Sequence, residues 1–343
     1  MLQSHSRNLC CCCAQYRRKS HQDPRRIVRS REYLDRAARN ILSLEYFNKI
    51  LRDAISPVKV IILKGEAILN AVNESEGRRR LAEIDILIKR EDLPFLKSHL
   101  SKAGYRFPEN ITPSSVVGYI NSVMGVSGLK FYPAIHLHWH TVNNSFPSYM
   151  FASRIDIAEI WREAGPVQGW QDNILVMAPH HQLIYLSEHG LKHSFEKPKD
   201  LRDIYNLIER YGNSLDWNRA ISVAKEFNLT RAVYYGLYFT SEILGAEIPQ
   251  GVLDGLKPNK FTSLERRFIR SVFKNKQNTD SSYAVYLAMN EGLPAKARFI
   301  VRTFFPPREA MGDMQNIAAS KIGLTHYLGR IARGIQTMGR ILP

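Results

Sequence analysis

Two carboxylates stand two residues apart in the segment RRRLAEIDILIKREDL, at Glu83 and Asp85. In a strand, residues i and i+2 share a face, so both acids point one way while Ile84, Ile86 and Ile88 point the other. Adjacent carboxylates repel unless a cation lies with them. Magnesium takes oxygen ligands and commonly combines one or two carboxylates with substrate phosphates. The pair therefore fits a metal clamp for phosphoryl or nucleotidyl transfer. It also fits a solvated strand face, and spacing alone does not separate the two.

Two further stretches favour the clamp. Upstream, VIILKGEAILNAV puts Lys64 and Gly65 between a β-branched run and the helically spaced Ala67, Ile68, Ala71 and Val72. A helix N-terminus behind a glycine is a ready phosphate site, because its free N–H groups and dipole favour anions. Lys64 adds charge there. Downstream, AIHLHWH alternates strictly: Ile135, Leu137 and Trp139 on one face, His136, His138 and His140 on the other. Imidazole suits manganese or zinc better than magnesium, and a neutral histidine can act as a general base. Farther on, His189 and His193 share a helical face, but the residues between them, Gly190, Leu191 and Lys192, lack the glutamate of a zinc peptidase motif. KPKDLRDI sets Lys199, Asp200 and Asp203 on one helical turn, as a cap and surface charges or as a charged element facing a cleft.

The elements that must hold these residues are legible from periodicity. Leu34, Ala38, Ile41, Leu42, Phe47 and Leu51 predict a helix from Ser30, ended at Ser56-Pro57. Val58 to Leu63 and Ile84 to Ile88 predict buried strands. REDLPFLKSHLSKAGY predicts an amphipathic helix closed by Gly104. Pro108 to Tyr132 is Ser/Gly-rich and predicts a hairpin or a loop. After Pro147 only Asn173 to Met177 reads as a strand, and helical patterns follow. The expected organisation is a basic, loosely held tail at 1–29, an α/β domain at 30–147, and a mainly helical domain with a basic end at 148–343.

The chain has 343 residues and a formal net charge of +16. Such an excess favours anionic partners: nucleotide phosphates, nucleic acid or an acidic surface met by the basic tails. The four cysteines are consecutive, Cys10 to Cys13, which is neither a disulfide framework nor a good cage for one zinc ion. No apolar run approaches the roughly 18 residues of a membrane span. A cytoplasmic protein is expected.

Taken in order, VIILKGEAIL, GRRRLAEIDILIKREDL, AGYRF and IHLHWH resemble an uncharacterised nucleotidyltransferase family with an LKG–DID–LHW pattern, within the DNA polymerase beta-like nucleotidyltransferase superfamily. LSEHGLKH and KDLRDIYNLI extend the likeness into the helical half. The resemblance implies an α+β fold: a small mixed sheet with flanking helices, then helices. It implies Lys64 and Gly65 at a phosphate-binding turn, Arg79 as a phosphate ligand, and Glu83 and Asp85 holding Mg²⁺ or Mn²⁺; Lys199, on the charged element facing the cleft, is the further nucleotide-binding candidate. His136 and His138 fall among the catalytic positions. Two departures stand out. Glu83 replaces the family's usual aspartate, and His136 replaces an acid that completes the metal site in such folds.

The expected activity is metal-dependent transfer of a nucleoside monophosphate from an NTP to a hydroxyl on a small molecule, sugar, protein or RNA. His136 motivates an alternative, a nucleotide-binding relative with little or no catalysis that acts as a regulator or assembly partner. The charge excess motivates a third, a basic RNA-binding protein with a vestigial site.

Overall fold

The β-branched run after Pro57 forms β1, Val60–Lys64, and the acid-bearing segment forms β2, Glu83–Leu87. These come from a computed structural model that describes residues 24–50, 52, 58–64, 83–108, 121–129, 132–142, 151, 154–166, 170–274, 281–315 and 317–341. Gly65, Arg79, the helix expected behind Gly65, and Cys10 to Cys13 lie outside the described residues.

Five further strands complete a mixed sheet: β3 (Tyr105–Arg106), β4 (Ser122–Ser127), β5 (Ala134–His138), β6 (Gly165–Pro166) and β7 (Ile174–Val176). Their order is β3-β4-β5-β2-β1-β7-β6. β2 runs parallel to β5, and β1 parallel to β7; the other pairs are antiparallel. The fold is α+β. The Ser/Gly-rich stretch expected to be a hairpin or loop supplies β4, and two strands beyond residue 147 join the same sheet.

Alternation sends side chains to two cores. Ile62, Ile84, Ile86, Ile135 and Leu137 pack with Leu93, Leu96 and Leu100 of the helix Leu93–Lys102. Each such burial contributes about 2 kcal/mol relative to exposure. That helix ends as expected at Gly104, whose φ of 92° suits glycine. Ile61, Leu63 and Leu87 face the opposite side and join the large core of the helical half. The first helix, Pro24–Ile50, starts earlier than Ser30, with proline in the first turn where its missing N–H costs nothing.

Two helices of the second half cover the acid-bearing side. The histidine helix, Pro179–Lys192, is tied to β1 by Gln182, whose amide donates to the Leu63 carbonyl at 2.6 Å. The aspartate helix, Pro198–Tyr211, follows after a tight turn. Ser194 (φ 55°) and Phe195 (φ 51°) both adopt left-handed backbone there. Such strain persists only when packing over-determines it. The Phe195 ring fills the space that a side chain on Gly190 would need, and Ser194 Oγ accepts the Ser282 N–H at 3.1 Å. Among the described residues, no helix is long and apolar enough to cross a membrane.

Candidate active site

Lys64 reaches the acids through a bulge. Ile61 pairs with Leu87 and Ile62 with Ile86, but Asp85 pairs with Lys64 and not with Leu63. One extra residue on β1 thus shifts the alternation. Without it Lys64 would point into the core with Ile62. With it, Lys64 shares the carboxylate face, and the Leu63 carbonyl finds Gln182. Lys64 Nζ lies 3.3 Å from Asp85 Oδ2 and 3.7 Å from Glu83 Oε1.

Asp85 is the centre of the cluster and only 1% exposed. The parallel register sets it beside His136 on β5. His136 Nδ1 and His138 Nε2 lie 3.2 and 3.0 Å from Asp85 Oδ1. Burial alone would raise the Asp85 pKa; the bonds from His136 and His138 and the charge of Lys64 outweigh it and hold the carboxyl well below its usual range. His136 Nε2 reaches Ser122 Oγ on β4 at 3.0 Å. An imidazole protonated on Nδ1 therefore donates to Asp85 and accepts from Ser122. His138 is fully enclosed: burial, then the neighbouring His136, pushes its pKa down to about 3 against the pull of Asp85. Its Nδ1 is buried without a hydrogen-bond partner.

The histidine helix roofs this cluster. Burial pushes Lys192 down to about 8; Glu188, Asp85 and Glu83 pull upward while Lys64 pushes further down. His189 is held well below the usual range by burial, then by the charges of Lys64 and Lys192. Tyr185 is driven up by burial and by Asp85, Glu188 and Glu83. The aspartate helix contributes Asp200, raised to about 6 by burial and opposed by Lys199.

Of the residues expected at the site, Lys64, Glu83, Asp85, His136 and His138 come together. Lys199 is exposed at the start of the aspartate helix, where its charge acts on Asp200 and His193. Asp200 is not a helix cap: Lys197 holds that position, and the Asp200 side chain is buried. His140 leaves the histidine face. The strand stops at His138, and His140 Nδ1 accepts the Val142 N–H at 3.0 Å. Sequence reasoning missed Ser122 and Lys192. Lys192 was detectable, since it follows Glu188 by four residues on one helical face.

Asp85, His136 and His138 each offer a ligand atom, all within 4.8 Å of one another. One carboxylate with two imidazoles suits manganese or zinc better than magnesium. Glu83 adds a nearby oxygen donor, although Lys64 now sits against it. The donor set fits a divalent cation once the Lys64 ammonium turns elsewhere. A second trio, Glu163, His180 and His181, is also compact, but Arg219 already bonds to Glu163 and Glu159 there and supplies the balancing charge.

Two acids on β2, with Lys64 on one neighbouring strand, His136 and His138 on the other and the histidine helix above, form the arrangement that the sequence pattern leads one to expect of a nucleotidyltransferase. The family model described as uncharacterised nucleotidyltransferase matches residues 7–245, well over half of the chain. The chain belongs to that family. A search of curated proteins finds no match.

Proposed function

We propose that the chain transfers a nucleoside monophosphate from an NTP to a hydroxyl acceptor in the cleft between the sheet and the histidine helix. The observation that carries this reading is Asp85: a buried, ionised carboxylate held by two imidazoles and a lysine. Asp85 and His138, with Glu83 beside them, would hold a divalent cation. Such an ion, manganese or magnesium, supplies charge neutralisation for the phosphates.

The chain's own groups position the reactants and manage the proton. Lys64 exchanges its carboxylates for the β- and γ-phosphates. Lys192, half-buried on the histidine helix, adds a second positive charge, and the resemblance adds Gly65 and Arg79 as phosphate ligands. The acceptor oxygen bonds to the α-phosphorus, and the bond from that phosphorus to the bridging oxygen breaks as pyrophosphate leaves. His138 is a poor proton acceptor because burial depresses its basicity. His136, less buried, is the group placed to accept the hydroxyl proton: its Nδ1 donates to Asp85, and its Nε2 takes the proton in exchange for the Ser122 hydrogen bond. Lys199, exposed on the aspartate helix, would contact the nucleotide.

The test is incubation of the chain with each α-labelled NTP, Mg²⁺ or Mn²⁺, and cell extract. Label transferred by the wild type and lost in Asp85→Asn supports the reading. Transfer by both proteins at equal rates defeats it.

A second reading, a nucleotide binder that does not transfer, is favoured by two observations. Lys64 already neutralises the acids, and His136 stands where an acid is usual. It predicts NTP binding without label transfer. His136→Asp would then create transfer; an inert His136→Asp protein counts against it.

A further inference from the structure

The last helices carry features that nucleotide transfer leaves unused, and they lie beyond the family match at 7–245. The helix Gly292–Phe304 sets Leu293, Ala297, Ile300, Val301 and Phe304 on one face at helical spacing. The helix Leu324–Ile341 does the same with Leu324, Leu328, Ile331 and Ile335. The two are interlocked. Phe304 fills the space beside Gly334, Arg330 bonds to the Thr303 carbonyl, and Tyr327 donates to the Pro306 carbonyl at 3.0 Å.

That contact does not use up the apolar stripes. Leu293 is 83% exposed and Leu324 73%, and Ile300, Val301, Leu328 and Ile335 are exposed as well. Bulky apolar side chains at this density mark an interaction surface. Charge narrows the partner. Neither helix contains an aspartate or glutamate, while together they carry Lys296, Arg298, Arg302, Arg330, Arg333 and Arg340. The partner must offer an apolar bed and negative charge on one surface. Nucleic acid offers phosphates but no bed for leucine and isoleucine. A bilayer interface rich in anionic lipids offers both, with acyl chains below and phosphates at the headgroup level.

We propose that this helix pair docks on an anionic membrane surface, its apolar stripes at the acyl boundary and its basic residues among the headgroups. Neither helix is apolar enough to span the bilayer, so attachment is peripheral and reversible.

The experiment is sedimentation of the full chain with vesicles of phosphatidylcholine, with or without phosphatidylglycerol. Wild type should bind the anionic vesicles at least roughly tenfold more tightly than the neutral ones, and release them at high salt. Leu293→Glu/Leu324→Glu should lose binding. Arg298→Gln/Arg302→Gln/Arg333→Gln, which removes exposed charges and no packing, should lose its salt-sensitive part. Loss in both variants at an unchanged melting temperature supports the proposal. Failure of wild type to sediment overturns it, as does full binding by the leucine variant. So does a wild-type dimer that the leucine variant breaks without any vesicle binding, or RNA binding that only the arginine variant loses.

Discussion

Lys64 faces Asp85 across the β1–β2 ladder, 3.3 Å from its carboxylate, only because β1 carries one extra residue at that point. The ammonium thereby stands where a divalent cation would balance Asp85 and Glu83. Replacing it should free both acids. Lys64→Gln is expected to bind Mn²⁺ without nucleotide roughly tenfold more tightly, the scale of one hydrogen bond to a charged group. The same variant should bind NTP more weakly. Calorimetric titration with each ligand reads both effects, and parallel changes in the two affinities would contradict the exchange of partners.

Asp85→Asn should abolish nucleotidyl transfer and also weaken the fold. Its amide group presents donors to groups that the carboxylate satisfied as an acceptor. Removing one partner of a buried charge cluster costs about 3 kcal/mol. Urea denaturation measures this, and a variant as stable as wild type would show that the cluster is looser than its distances imply.

Acid should unfold the chain in a defined window. Burial pushes His138 down to about 3, and pushes His181 and His193 down to about 4. The unfolded chain, with histidines near 6.5, takes up protons first. Stability is therefore full above that value and falls as pH drops from about 6.5 to about 4, by about 1.4 kcal/mol per pH unit for each histidine. Asp200, raised to about 6, opposes part of this, because the folded chain protonates it first. Asp85 adds its own loss only at lower pH. Melting temperature against pH should fall through that window, and a flat profile would refute the buried neutral histidines.

Gly190→Ala should disturb the cleft from below. Its new methyl group collides with the Phe195 ring, which holds the turn after His193. Overpacking of this kind costs about 1–3 kcal/mol. The displaced turn should also lower NTP affinity by moving Lys192. Thermal melting and nucleotide titration check the two consequences; Phe195→Ala should cost less stability on the Gly190→Ala background than on wild type, because the two changes relieve one collision.

Much of the site was legible because strand alternation is a local property. Glu83 and Asp85 share a face, and Ile135, Leu137 and Trp139 turn together into the core, as period two requires. The bulge was not legible, since nothing in VIILKG marks where a ladder gains a residue. β4 was hidden because SVMGVS mixes serine, glycine and exposed methionine without clean alternation. His140 left its predicted face because the strand ended two residues earlier, at a turn that only the Val142 N–H reveals. Gln182, which closes the bulge, lies more than a hundred residues from Leu63, and no local pattern announces such a partner.

The position of β1 between β2 and β7 has a consequence for synthesis. Until Ile174–Val176 leaves the ribosome, Val60, Ile61 and Ile62 have no neighbour on one side. A nascent chain, or a fragment stopped at residue 147, would present this β-branched row as an open edge, a template for pairing with other chains. Lys64 sits at the end of that row, and Gln182, which satisfies the bulge carbonyl beside it, arrives later still. The front half can carry Glu83 and Asp85 and still lack the strand that covers its open edge.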